Sequence, residues 1–379
     1  MKNYLKLFTL LFLTGFLAAC AAPEPVTPVG ANGDAEEVTE PTPEPPAADG
    51  FELVLVTDYG TIDDGSFNQG AWEGLVAYAQ AHGITFTHIQ PPEVSDAAYV
   101  ASITLAVEGG ARLIVTPGFL FQRAVYEAQD LFPDVKFVLL DTAPQNPETG
   151  EVRIGDNVVA VFYAEEQAGF LAGYAAVMEG YRSLGFVGGI AVPAVIRFGH
   201  GFVEGAEYAA TQLGLAPGAV TVMYHYAGTF SPDPVVQTMA ASWYADGVEV
   251  IFAAAGGLGF SIMAAAESEG GMVIGVDIDQ AGDSETVLTS ALKELSVSVE
   301  TLIADFYAGT FPGGQQVMFD AANRGVGLPM HTSRFENFTV EQYEAIFARL
   351  AAGEIMVNSA IDIDVHGLNT SLVDITLIN

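Results

Sequence analysis

From Phe51 onward, short apolar runs alternate with amphipathic stretches of helical length. Residues 52–57, 84–89, 112–116 and 136–140 read as strands, with helices at 67–81, 96–108 and 121–131 between them. The cycle resumes with helices at 165–179, 199–213, 234–246 and 261–269 and near 293–308. Strands at 184–188, 219–224, 248–253 and 272–276 lie between them. Strands separated by helices of this length predict parallel βαβ units. The strands are apolar throughout, as expected when both sheet faces are covered. So many units exceed one comfortable sheet, which predicts an α/β chain with two doubly wound lobes. Ligands of such sheets sit outside the carboxyl ends of the strands, so a cleft between the lobes is the expected site. No internal repeat emerges. The tail after 309 predicts an amphipathic helix at 339–352 and an edge strand at 360–365, without chemistry.

Charge narrows the function. Across 379 residues, 12 Lys and Arg face 47 Asp and Glu, a formal net charge of −35. Such a polyanion repels phosphate backbones, and no basic run offers a local exception, so no nucleic acid is expected as partner. The chain is nevertheless 50% hydrophobic and only 16% charged, which fits a folded body and not a disordered acidic chain. One cysteine excludes an intramolecular disulfide.

The start of the chain reads as a sorting signal. Lys2 and Lys6 precede a mostly apolar stretch, Leu7 to Leu17, too short for the ~20 residues of a spanning helix. Leu17-Ala18-Ala19-Cys20 resembles a bacterial lipobox, which implies a signal peptide over 1–19, cleavage before Cys20 and lipid attachment to its thiol. Residues 21–49 hold seven prolines and seven acids with no Lys, Arg or aromatic residue. Residues 20–50 therefore read as a disordered tether holding a folded body at a membrane.

Polar residues gather where strands end. The stretch from Thr57 to Gln69 follows the first strand and runs into the first helix, with Gly60 and Gly65 permitting tight turns and Ser66 suited to cap the helix. Phe67 offers a ring for stacking, and Asn68 both donor and acceptor for the edge of a base or amide. Turn chemistry with a core phenylalanine is the plainer reading. Asp277 and Asp279 follow another strand, and a carboxylate can engage both hydroxyls of a ribose diol. Lys293 is one of two lysines beyond the leader; a solvated lysine at a helix start is its plainer reading.

These stretches resemble the basic membrane protein family, purine nucleoside receptor-like lipoproteins that serve as binding components of bacterial ABC transporters. The resemblance spans nearly all of 51–310. It rests on Asp63-Asp64-Gly65-Ser66-Phe67-Asn68-Gln69, on Glu166-Gln167-Ala168-Gly169-Phe170-Leu171-Ala172-Gly173, on Gly275-Val276-Asp277-Ile278-Asp279-Gln280 and on Thr289-Ser290-Ala291-Leu292-Lys293. It implies a type I periplasmic-binding-protein fold, two lobes joined by three crossovers and closing on a nucleoside. Lobe I is expected over 51–157 plus about 285–325, and lobe II over about 158–284 plus 326–379. Carried over, Phe67 stacks on the base and Asn68 reads its edge, Asp277 and Lys293 hold the ribose hydroxyls, and Asp58 and Asp141 stand at cleft-facing strand ends. Phe198 is the expected opposing ring, with Phe202 as competitor, because Gly199-His200 stands where the family often has a charged residue. Gly257 lets backbone approach the ligand. Implied partners are an ABC permease and ATPase, with a monomer anchored in the membrane by lipid, extracytoplasmic and without cofactor or metal.

Rival readings remain. Asp58, Asp63 and Asp64 are similar to the aspartate cluster of calcium-dependent nucleoside hydrolases. That pattern, however, begins with an acid where this chain has Val56, is one residue shorter, and has proline at Tyr59. The six histidines show no zinc-like spacing, and no Ser or Cys nucleophile has a base beside it, so no enzyme is expected. A membrane-coupled ligand sensor, or a receptor for another flat ring such as riboflavin, would use the same fold.

Overall fold

The computed structural model describes residues 50–58 and 60–378, and its body, 47–379, is one compact unit. Cys20, the leader and the tether up to 49 lie outside the described residues. The chain runs β1 (Leu53–Val56), α1 (Phe67–His82), β2 (Phe86–Ile89), α2 (Asp96–Glu108), β3 (Leu113–Pro117), α3 (Gln122–Leu131), β4 (Lys136–Leu140) and β5 (Val158–Tyr163). It continues through α4 (Glu165–Glu179), β6 (Ser183–Gly188), α5 (Pro193–Gln212), β7 (Val220–Tyr226), α6 (Pro234–Ala245), β8 (Val250–Ala254), α7 (Gly259–Glu269) and β9 (Met272–Asp277). The last elements are β10 (Val287–Lys293), α8 (Leu295–Ala308), β11 (Gln315–Phe319), β12 (Val326–Gly327), α9 (Val340–Ala351) and β13 (Val373–Leu377).

Two sheets result, ordered β11-β5-β4-β3-β1-β2 and β12-β10-β9-β8-β6-β7-β13. Among the strand pairs of the described residues only β10–β12 is antiparallel. β1, β3 and β8 are buried along their whole length because helices cover both faces. The order β2-β1-β3-β4-β5 recurs as β7-β6-β8-β9-β10, a structural repeat that the residues themselves conceal. Strand order reverses between β1 and β3 in one lobe and between β6 and β8 in the other. Ligand crevices form at such switch points.

The chain crosses between lobes after β5, after β10 and after β11. The expected lobe boundaries need correction here. β5 pairs with β4 and β11, so the first lobe runs past 157 to Tyr163. β10 pairs with β9, so 287–293 belongs to the second lobe and not the first. Lys293 ends that strand and does not start a helix. Buried Thr289 and Ser290 mask the strand in the sequence; their hydroxyls meet Ser333 Oγ at 2.7 Å and the Gln280 backbone N–H at 3.0 Å. The expected strand at 360–365 is irregular chain, and the edge position is filled by β13, parallel to β7.

Helix α5 starts six residues before the predicted 199, with Pro193 in its first turn. Gly199 and Gly201 both fall inside the helix and are packing positions. A Cβ on Gly169 or Gly173 of α4 would collide with the carbonyl of Phe198 or Phe202, and one on Gly201 or Gly205 with that of Glu166 or Phe170. The two helices thus touch backbone to backbone, which fixes where α5 presents Phe198. Glutamates on the same helices tie down the C-terminal tail. Glu179 accepts the backbone N–H groups of Glu336, Asn337 and Phe338 at 2.8–2.9 Å, Glu204 that of Asn358, and Glu207 those of Ser371, Leu372 and Val373.

Gly173→Ala is expected to lower unfolding free energy by about 1–3 kcal/mol, the range for overpacking a close contact. Urea denaturation checks it. A variant as stable as the parent would mean that the helices separate without penalty.

Candidate functional site

A cavity of about 300 Å³ lies between the lobes at both switch points, at the lower bound of small-molecule sites. Asp58 follows β1, Gly118 follows β3, Ile190 follows β6, and Ala255 to Gly257 follow β8; all line it. Asp58, Phe67, Asn68, Asp141, Phe198, Gly257, Asp277 and Lys293, the eight residues expected at the ligand, all lie in its wall. Phe202 does not: it is fully buried and packs on Phe252 with ring centroids 5.3 Å apart. Phe119, Phe230 and Phe260 add rings that the sequence pattern did not single out.

Lys293 forms the electrostatic centre. Its side chain is 1% exposed, and Nζ lies 2.6 Å from Asp141 Oδ2 and 3.1 Å from Glu165 Oε1. The ammonium also sits 4.9 Å from the Phe67 ring centroid, 5.1 Å from Tyr163 and 5.5 Å from Phe198, within cation–π range of all three. Burial pulls the Lys293 pKa down, but Asp141, Glu165 and Asp277 outweigh it and hold the ammonium above its ordinary range. Glu165 passes the link on to Arg197, 3.2 Å from its other oxygen. Glu165 opens α4 just before the glycine-bearing stretch of that helix, yet no spacing pattern marked it as part of the site.

Asp141 and Asp277 occupy matching places, at the ends of the fourth strand of each lobe. Both adopt left-handed backbone, φ 65° and 68°, which turns each carboxylate back toward the cleft. Burial pushes the Asp141 carboxyl up to about 7 although Lys293 draws it down; Asp277 is also raised by burial, against Lys293 and Ser66. One Asp141 oxygen, Oδ1, is buried without a hydrogen-bond partner. An orphan acceptor at a cavity wall is a ready place for a ligand hydroxyl.

The loop from Asp58 to Asn68 differs from expectation in two roles. Ser66 stands at the N-cap of α1, but its hydroxyl donates to Asp277 Oδ2 at 2.5 Å instead of capping the helix. The Asn68 amide, expected to read a base edge, donates to Asp58 Oδ1 and Asp64 Oδ2, each at 2.9 Å. It therefore aims those carboxylates. Asp64 is bound further by the backbone N–H groups of Ser66, Asn68 and Gln69. Asp63 accepts from Thr61 at 2.5 Å. Among the described residues no group of three or more His, Cys, Asp or Glu forms a potential metal cluster. Gly257 keeps its open side to the cavity, since a Cβ there would meet nothing closer than Phe230 O at 3.4 Å. Gly199 has a packing reason: a Cβ would strike Tyr224 and Phe186. His200 bonds the Ala360 carbonyl at 3.2 Å, away from the cavity wall.

Comparison with known proteins agrees with this architecture. The family model for PnrA-like ABC transporter substrate-binding proteins, Bmp, matches residues 51–361. The chain is 31% identical over 330 residues to the CD4+ T-cell-stimulating antigen of Listeria monocytogenes, covering 81% of this chain and 88% of that protein. It is 30% identical over 309 residues to the ABC transporter nucleoside-binding protein BmpA of Lactococcus lactis subsp. cremoris, with 76% and 83% covered. Among solved structures, an ABC transporter solute-binding protein from Aeropyrum pernix K1 matches with TM-score 0.70 at 23% identity, over 82% of this chain and 94% of that one. With its two-lobed type I periplasmic-binding-protein fold, the chain belongs to the Bmp family of PnrA-like ABC transporter substrate-binding proteins.

Proposed function

We propose that this protein is the extracytoplasmic receptor of an ABC transporter and takes a nucleoside, preferentially a purine, into the cavity between its lobes. The observation that carries the reading is the wall of that cavity, which sets Phe67 and Phe198 around a buried Asp141–Lys293 pair with Asp277 beside it. Aromatic rings suit a flat base; an ammonium between carboxylates, one oxygen of which lacks a partner, suits a diol. The nucleoside-binding relative from Lactococcus lactis supports the same ligand class. Phe67 and Phe198 stack on the base, the carboxylates aimed by Asn68 accept from its edge, and Asp277, Lys293 and Asp141 hold the ribose. Lobe closure then follows from contacts made to both sides of one ligand.

Charge selects among nucleosides and nucleotides. Five aspartates (58, 63, 64, 141 and 277) line the cavity against the single ammonium of Lys293. A 5′-phosphate brought there would meet carboxylates with no free cation. The expected setting is a monomer anchored through lipidated Cys20 and its tether, delivering ligand to a permease driven by an ATPase. Among the described residues no helix is long and apolar enough to cross a membrane.

Calorimetry with guanosine, inosine, adenosine, their 5′-monophosphates and riboflavin tests the ligand class. Purine nucleosides are expected to bind, each monophosphate at least ~100-fold more weakly, roughly 2.7 kcal/mol. Preference for riboflavin, or equal binding of phosphates, would overturn the reading. Asp277→Ala is expected to weaken nucleoside binding by about 1.5–3 kcal/mol, the range for hydrogen bonds to a charged group. Phe67→Ala or Phe198→Ala should cost about 1–3 kcal/mol, as for bases stacked on aromatic side chains. Unchanged titrations with these folded variants would remove the assigned roles.

A further inference from the structure

Beside the cavity, the two lobes touch through Gly65, Ser66 and Gln280, which do not line it, and through Asp277, which does. Gln280, 2% exposed, lies just beyond β9 in the second lobe. Its Oε1 accepts the Val276 N–H at 3.0 Å, bracing the turn in which Asp277 takes its left-handed backbone. Its Nε2 donates to the Gly65 carbonyl of the first lobe at 2.7 Å. The next residue, Ser66, donates back across the cleft to Asp277 at 2.5 Å.

Glycines make room for this arrangement at both ends. A Cβ on Gly275 would collide with Gln280 Oε1 and lie 2.7 Å from Ser290 Oγ. A Cβ on Gly65, whose φ is 67°, would stand 2.6 Å from the Phe260 ring of the opposite lobe. Ser290 Oγ in turn accepts the Gln280 backbone N–H at 3.0 Å, which anchors the loop to β10. One side-chain amide therefore both shapes the Asp277 turn and reaches the other lobe. Opening the cleft must break both cross-lobe hydrogen bonds, Gln280 to Gly65 and Ser66 to Asp277.

We infer that Gln280 and Ser66 form an inter-lobe latch that holds the closed state and sets how long a bound ligand stays. Gln280 is a positioning residue for Asp277, and Ser66 is its counterpart on the first lobe. The latch adds to whatever the ligand itself bridges, so it controls release more than capture. Its two bonds join different lobes, whereas a turn brace alone would act within the second lobe only. The inference rests on the nucleoside reading for its probe, guanosine, but not for its geometry.

The test compares the wild-type chain with Gln280→Met, which removes both amide bonds at similar size, and Ser66→Ala, which removes one cross-lobe bond and leaves the turn intact. In stopped-flow binding of guanosine, each variant is expected to speed dissociation about tenfold, the scale of one lost hydrogen bond, with association within about threefold. Small-angle scattering of the ligand-free proteins should show a larger radius of gyration for both variants. Ser66→Ala keeps the test usable should Gln280→Met fail to fold. Dissociation rates equal to wild type overturn the latch. Faster dissociation with unchanged ligand-free scattering also overturns it, since Gln280 would then act on Asp277 alone. If wild type does not bind guanosine, the nucleoside reading fails by itself. Ligand-free scattering then decides the latch: larger radii support it, and equal radii overturn it.

Discussion

The buried ammonium of Lys293 is the constraint around which the site is organised. A lone buried charge would be untenable, and its neutral form would take over. Here the charge is kept by carboxylates from separate parts of the chain: Asp141 after β4 of the first lobe, Glu165 at the first crossover and Asp277 at the end of β9 of the second. Lys293 itself ends the strand that leads into the second crossover. Breaking such a pair by removing one partner leaves an uncompensated charge, which is more damaging than the pair is stabilising. The strand ends of both lobes and the entry to two crossovers are therefore tied to one nitrogen atom. Binding and hinge geometry cannot be altered independently at that point.

The two lobes reach this arrangement by the same route. Each uses the same strand order, each places a tight 3₁₀ turn after its third strand, and each turns an aspartate into left-handed backbone after its fourth. The lobes differ where they meet the ligand cavity. The first supplies the loop carrying Asp58, Asp64 and Asn68, and the second supplies Phe198, Phe230 and the glycine turn at 256–257. The first lobe contributes most of the acceptors, and the second adds Asp277 and Lys293 to its rings. A ligand with a polar edge and a flat face is accommodated by that division.

Much of this was legible from the residues. Apolar runs bounded by turn residues marked β1 to β4 and β6 to β9 but not β5 or the strands after β9, and acids and rings just after them marked the cavity wall. The failures have physical causes. β10 was hidden because Thr289 and Ser290 are polar yet buried, their hydroxyls satisfied by partners 44 and 10 residues away. The expected helix at 199–213 missed the first six residues of α5, which opens on Pro193. Glu165 escaped notice because its role depends on a lysine 128 positions downstream, which no local pattern records. Asn68 lines the cavity, but its amide faces aspartates brought close by the loop fold. The strong acidity, which first spoke only against nucleic acid, acquires a structural use in Glu179, Glu204 and Glu207, each accepting backbone N–H groups of the C-terminal tail.

Because Lys293 is sealed inside the protein, Lys136 is the one lysine among the described residues whose ammonium reaches solvent. An amine-reactive dye or surface-coupling reagent would therefore find one side-chain address on the folded body, at the start of β4 in the first lobe. Chemistry that scatters labels over an ordinary protein surface becomes site-directed here. The resulting conjugate carries its reporter on a single lobe, with the ligand-holding amine left untouched.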